Sequence, residues 1–119
     1  MNVAVIGASN NPERYSHRAV LLLSEKGHTP YPVHPMLDEV AGLAAYETVR
    51  AIPADIDTAT VYVSGKNQTG LAEDLLGKRV RRVIFNPGAE NPDLASRLLE
   101  AGVEVVDACT LILLQTEQF

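Results

Sequence analysis

Val3-Ala4-Val5-Ile6-Gly7-Ala8-Ser9 is the stretch on which the reading of this chain turns. A strand with one face in water alternates apolar and polar residues, whereas residues 3–6 are apolar without interruption, as in a strand buried on both faces. Gly7 closes the run and lets the backbone turn sharply. Strands buried on both faces belong to parallel sheets covered by helices on either side. The rest of the chain should therefore alternate short apolar strands with amphipathic helices.

It does so along its length. Ser16 is expected to cap a helix running to Lys26, with Ala19, Leu22 and Leu23 on one face and Gly27 as its stop. Residues 29–33 read as the second strand, short or irregular because Pro30 and Pro32 each delete a ladder N–H. Residues 40–59 are the least regular, with a short strand near 43–45 and a helical turn over 48–52 ended by Pro53. Residues 60–63 form a strand, followed by Ser64-Gly65-Lys66-Asn67 and a helix carrying Leu71, Ala72, Leu75 and Leu76. Residues 82–85 are the next strand. Asn91 caps and Pro92 begins a helix with Leu94, Ala95, Leu98 and Leu99, closed by Gly102. The last strand is expected over 103–106, with Asp107 capping a final helix that contains Leu111 and Leu114. This alternation implies right-handed crossovers. The fold class is α/β: a three-layer, Rossmann-like, doubly wound domain with a mainly parallel sheet of about five strands, spanning residues 1–119 as a single domain.

Composition limits what such a chain can do. Its 119 residues are 46% hydrophobic and 21% charged, enough for one core and too few for a two-lobed enzyme with a cleft between domains. The longest apolar runs, 19–23 and 111–114, fall far short of the roughly 20 residues of a membrane helix. The N-terminus has no basic stretch and no small-residue cleavage site, so a cytoplasmic protein used without processing is expected. Cys109 is the sole cysteine, which rules out an internal disulfide, and it has no partners at zinc-ligand spacing. A net charge of -5 argues against nucleic-acid binding, and Lys78, Arg79, Arg81 and Arg82 read as a solvated helix end leading into a strand.

In open α/β sheets the ligand sits beyond the carboxyl ends of the strands, where strand order reverses. The loop from Gly7 to Ser16 combines a turning glycine, a helix N-terminus, and donors at Ser9, Arg14 and Ser16, all of which favour an anion such as phosphate. It is neither Gly-x-Gly-x-x-Gly nor a Gly-Lys-Ser/Thr loop, and an ordinary strand-to-helix turn has the same composition. At the end of the second strand stand His34 and Pro35, where a nicotinamide-dinucleotide protein would show an acid for the ribose diol. His34 can hydrogen-bond a sugar or phosphate, and Val33 and Pro35 offer apolar surface to a base; a plain turn has these residues too. Ser64, Lys66 and Asn67 place a cation and short donors at another strand end, as a solvated loop would. Cys109, near a helix N-terminus, could be a reactive thiolate or a buried inert thiol. No nucleophile elbow or carboxylate pair supplies a catalytic group.

Read together, these loops resemble a family. Val-Ala-Val-Ile-Gly-Ala-Ser at 3–9, Tyr-Pro-Val-His-Pro at 31–35, the turn from Tyr46 to Pro53 leading into Asp57, and Val-Asp-Ala-Cys-Thr at 106–110 are similar to the small stand-alone CoA-binding proteins. These in turn resemble the N-terminal domain of the succinyl-CoA synthetase alpha subunit and of ADP-forming acyl-CoA synthetases. The resemblance covers nearly the whole chain. It implies CoA or acyl-CoA as ligand, with Gly7, Ala8, Ser9, Asn10, Arg14 and Ser16 at the phosphates, Val33, His34 and Pro35 beside the adenosine, and Ser64, Lys66 and Asn67 on the far side. The family's second-strand motif more often ends Asn-Pro, and an aromatic or arginine pair often follows its third main strand. Here those places hold His34-Pro35 and Ser64-Gly65-Lys66.

The local charge is compatible with such a ligand: residues 1–36 carry three cations against two acids, net +1. The expected function is non-catalytic binding of CoA or acyl-CoA, with no metal, no nucleic acid and no membrane, and with a homodimer or an unknown protein partner left open. Two alternatives remain: a Cys109-dependent thiol or redox enzyme acting beside bound CoA, and a regulatory interaction module. The ligase relatives use a phosphorylatable histidine on another domain, which a chain of this length lacks.

Overall fold

The computed structural model describes residues 1–119. Strands β1 (Asn2–Ile6), β2 (Thr29–Val33), β3 (Glu39–Val40), β4 (Leu43–Ala44), β5 (Thr58–Val61), β6 (Arg82–Phe85) and β7 (Glu104–Asp107) alternate with helices α1 (Tyr15–Glu25), α2 (Leu71–Gly77), α3 (Pro92–Glu100) and α4 (Thr110–Gln115). Five strands form one sheet in the order β2-β1-β5-β6-β7, and every pairing within it is parallel. β1 is an interior strand: Val3, Ala4 and Val5 are fully buried, as the uninterrupted apolar run requires.

Alternation along each strand divides the core between two faces. Val3 and Val5 pack with Val20 and Leu23 of α1 and Leu114 of α4. Ala4, Ile6, Ala59, Val61, Val83 and Phe85 pack with Leu71 and Leu75 of α2 and Leu94 and Leu98 of α3. These are the three layers of a Rossmann-like fold. Truncating Leu98, which has no exposed surface, would cost about 2–5 kcal/mol.

Several local expectations needed correction. β2 is a regular strand of five residues despite its two prolines. It lies at the sheet edge. Thr29 N–H donates inward to the Met1 carbonyl, while the Pro32 carbonyl accepts from Tyr46 N–H on the outer side. Pro30 and Pro32 therefore turn their missing donors outward, where the ladder does not need them. Ser16 is not a cap: Arg14 holds that position with no side-chain hydrogen bond, and Ser16 is buried inside the first turn. β5 starts two residues earlier than expected and ends at Val61, because Gly7 turns the neighbouring strand away after Tyr62 N–H reaches the Ile6 carbonyl. β7 likewise runs one residue later, so Asp107 is its last residue and Cys109 takes the cap position of α4.

The irregular segment holds the β3–β4 hairpin, whose turn residues Ala41 and Gly42 both have positive φ, 52° and 79°, the signature of a type I′ turn. A 3-10 turn, Val49–Ala51, follows, with the Thr48 hydroxyl accepting from Ala51 N–H. The basic run is solvated in part, as expected, with Arg79 exposed, and engaged in part. Lys78 Nζ donates to the carbonyls of Ile52 and Ala54, and Arg81 pairs with Asp57. Arg82 is buried, with its guanidinium 4.5 Å from the Phe119 ring centre. No helix is long and apolar enough to cross a membrane.

Candidate functional site

Strand order reverses between β1 and β5, and a cleft of about 1080 Å³ opens at their carboxyl ends. Gly7 forms its floor. Its φ is +88°, and a Cβ there would lie 2.8 Å from Val63 Cγ1 and 3.2 Å from Val63 N. Both the conformation and the space demand glycine.

The loop after β1 presents donors selectively. Gly7 N–H and Ala8 N–H are already spent on the Val33 carbonyl, at 3.0 and 3.2 Å. These two residues can offer a ligand close approach but not amide hydrogen bonds. Ser9 differs. Its hydroxyl oxygen accepts from Asn11 N–H at 3.0 Å, and its carbonyl oxygen lies 2.7 Å from His17 Nδ1. With both acceptors engaged, what remains free at Ser9 is its donors, the O–H and the backbone N–H. Behind it, α1 begins without a side-chain cap, so its first-turn N–H groups and dipole favour an anion. Arg14 and the buried Ser16 line the cleft at this end.

The second wall comes from the end of β2. Val33, Pro35 and Leu37 supply apolar surface. His34 Nδ1 accepts from Met36 N–H at 3.0 Å. That bond places the ring proton on Nε2, so the histidine acts as a donor. The third wall is built from Tyr62, Val63, Lys66, Asn67, Thr69, Leu71 and Asp74, and Glu47, Thr48 and Val49 close the gap to β2.

Of the residues expected to meet a ligand, Gly7, Ala8, Ser9, Arg14, Ser16, Val33, His34, Pro35, Lys66 and Asn67 all line this one cleft. Asn10 and Ser64 do not. Asn10 instead ties the first loop to the hairpin, its amide donating to the Glu39 carbonyl at 2.8 Å and its carbonyl oxygen accepting from Ala41 N–H at 3.3 Å. Ser64 accepts from Asn67 Nδ2 at 3.2 Å and so holds the turn that carries Lys66. The carboxylates Glu13, Glu47 and Asp74 were not anticipated. They outnumber Arg14 and Lys66 on the lining, so what the cleft offers an anion is directed donors rather than net positive charge. Thr48 and Tyr62 were missed for a different reason: they come from the irregular segment and from beyond the end of β5. The helical turn over 48–52 was legible, but nothing local showed which wall it forms.

Cys109 is half-buried at the start of α4 and is not among the lining residues. Beside it a polar cluster is buried under α4. Thr60 and Thr110 share a hydroxyl hydrogen bond of 2.7 Å, and Asn86 donates to Thr60 Oγ1 and accepts from Thr110 N–H. The Tyr62 hydroxyl is buried against these groups without meeting hydrogen-bond geometry with any of them. Burial pushes its pKa up to about 12.

A five-stranded parallel sheet between two helical layers, with its cleft where strand order reverses, defines a Rossmann-like α/β protein. The sequence profile of the family described as CoA binding domain matches residues 1–115, and the chain belongs to that family. It is 30% identical over 108 residues to the uncharacterized protein YneT of Bacillus subtilis, covering 90% of this chain and 80% of that one. It is 40% identical over 65 residues to the alpha subunit of the ADP-forming acetate–CoA ligase II of Pyrococcus furiosus, covering 54% of this chain but 14% of the subunit. A hypothetical protein from Pyrococcus horikoshii, of known structure, superposes with a TM-score of 0.89 at 31% identity, covering 92% of this chain and 78% of that one. The relatives thus include proteins of similar size and a ligase subunit of which this chain matches only a small part.

Proposed function

We propose that the chain, as one domain over residues 1–119, binds coenzyme A or an acyl-CoA in this cleft and performs no chemical step on it. The observation that carries the reading is the convergence of free donors at the uncapped start of α1, within a cleft whose β2 wall is apolar. CoA needs both surfaces: donors for its pyrophosphate and 3′-phosphate, and apolar contact for its base. A volume of about 1080 Å³ lies at the upper end for small-molecule pockets, as so long a ligand requires.

In this reading the Ser9 hydroxyl, the first-turn amides of α1, Arg14 and Ser16 take the pyrophosphate, while Gly7 and Ala8 permit its close approach. Val33 and Pro35 flank the adenine, and His34 donates from Nε2 to the phosphorylated ribose. Lys66 and Asn67 meet the ligand from the opposite wall. Asn10 and Ser64 act indirectly, by fixing the two loops. The protein works in the cytoplasm, where a single free thiol stays reduced, and any acyl-transfer step falls to a separate partner chain.

Calorimetry with CoA, dephospho-CoA, NAD and ATP tests the proposal. CoA should bind with dephospho-CoA weaker, and NAD and ATP should be weaker by about tenfold or more, the loss of at least one charged contact. Absence of CoA binding, or NAD binding as tight as CoA, would overturn it.

A further inference from the structure

His17 sits in the first turn of α1, buried to 9% exposure, and is not among the residues lining the cleft. Its Nδ1 lies 2.7 Å from the Ser9 carbonyl oxygen. A carbonyl oxygen can only accept, so Nδ1 carries the proton and donates. The consequence lies at Ser9. An anion approaching the loop would be repelled by an unengaged carbonyl dipole, and this carbonyl is turned back into the helix and neutralised. The serine hydroxyl oxygen is meanwhile occupied by Asn11 N–H, which leaves its proton free to point outward.

We propose that His17 is the positioning residue of the anion loop: by holding the Ser9 carbonyl it makes Ser9 a donor toward the ligand phosphates without touching them. The assignment rests on the CoA reading for the identity of the ligand, but the loop geometry is independent of it. Lysine or arginine would bring a charge to this buried place, and an aliphatic residue would leave the carbonyl free. An asparagine can set an amide N–H close to where Nδ1 now lies.

The test compares wild type, His17→Asn and His17→Leu. Affinity for CoA is read by calorimetry, and inorganic pyrophosphate is followed through the amide shifts of Ser9 and Tyr15. His17→Leu should lose about tenfold with both ligands, the worth of one good hydrogen bond, and His17→Asn should stay close to wild type. Pantetheine, which has no phosphate, should bind all three proteins alike. Wild-type affinity in His17→Leu, an equal loss in His17→Asn, or a loss that extends to pantetheine would overturn the assignment. Ring nitrogen shifts of the wild-type protein give a reading that needs no variant: protonation at Nε2 alone would also overturn it. If wild type binds pyrophosphate at Ser9 but not CoA, the function proposed above falls and the His17 comparison is decided on pyrophosphate. If it binds neither, both fall.

Discussion

Gly7 and Val63 meet across the point where the sheet reverses, with no room for a single carbon between them: a Cβ on Gly7 would lie 2.8 Å from Val63 Cγ1. The contact joins the end of β1 to the residues just past β5, and the same two strand ends form the cleft floor. Sheet geometry and cleft are therefore set by one close approach.

Gly7→Ala should accordingly destabilise the protein by about 3 kcal/mol, from the left-handed backbone and the overpacking together. Urea denaturation measures it. A loss below about 1 kcal/mol would mean that the strand ends relax freely.

Asn86 holds three buried partners at once: Thr60 Oγ1, the Val61 carbonyl and Thr110 N–H. Asn86→Ala strips the Thr110 amide of its acceptor in a place water cannot reach. The expected cost is about 3 kcal/mol, read as a lower denaturation midpoint with an unchanged slope.

Tyr62→Phe should go the other way. The hydroxyl has no partner, so its removal should be neutral or stabilising by about 1 kcal/mol at neutral pH. The pH dependence follows from a folded-state pKa of about 12 against an ordinary value of about 10. Stability from keeping this phenol neutral is complete below the unfolded pKa and is lost as pH rises through the folded one. The variant should lose less stability than wild type across that alkaline range, as thermal melts at stepped pH would show.

Asp57 gives the acid counterpart. The Arg81 guanidinium, 3.0 Å away, holds its carboxyl below the ordinary carboxylate range. Because the folded pKa is the lower, the contribution is full above the unfolded pKa and is lost as pH falls through the folded one. Asp57→Asn should therefore be less stable than wild type at neutral pH by under about 1 kcal/mol, since the pair is well exposed. The two should melt together in strong acid. A gap that persists there would assign the effect to the Thr58 hydroxyl bond instead.

What the sequence disclosed depended on whether the cause was local. Asn91 followed by Pro92 marks a helix start by its own chemistry, and the Asn91 side chain does accept from Leu94 N–H. The continuous apolar runs at β1 and β6 likewise declared buried strands. Ser16 misled because the helix already begins at Tyr15, so that Ser16 packs inside the first turn instead of capping it. Thr58 and Thr60 were harder still. They are fully buried because Arg82, Asn86 and Thr110, distant in sequence, supply their partners. The cleft-lining loops after β1 and β2 were legible from turn residues at strand ends. The Glu47, Thr48 and Asp74 wall was not, because it depends on how the irregular segment packs against α2.

The edge strand β2 has a consequence for how the protein behaves in concentrated solution. An open sheet can recruit another chain wherever unpaired backbone donors and acceptors face outward. At β2, Pro30 and Pro32 offer no donors, and what is left at its upper end is occupied by Tyr46. At the opposite edge, β7 is only four residues long and carries the exposed acids Glu104 and Asp107 at its two ends, a short and charged edge. One flank is guarded by missing hydrogens and the other by shortness and charge, two ways of blunting a sheet edge against edge-to-edge pairing even though the strands are among the most apolar stretches in the chain.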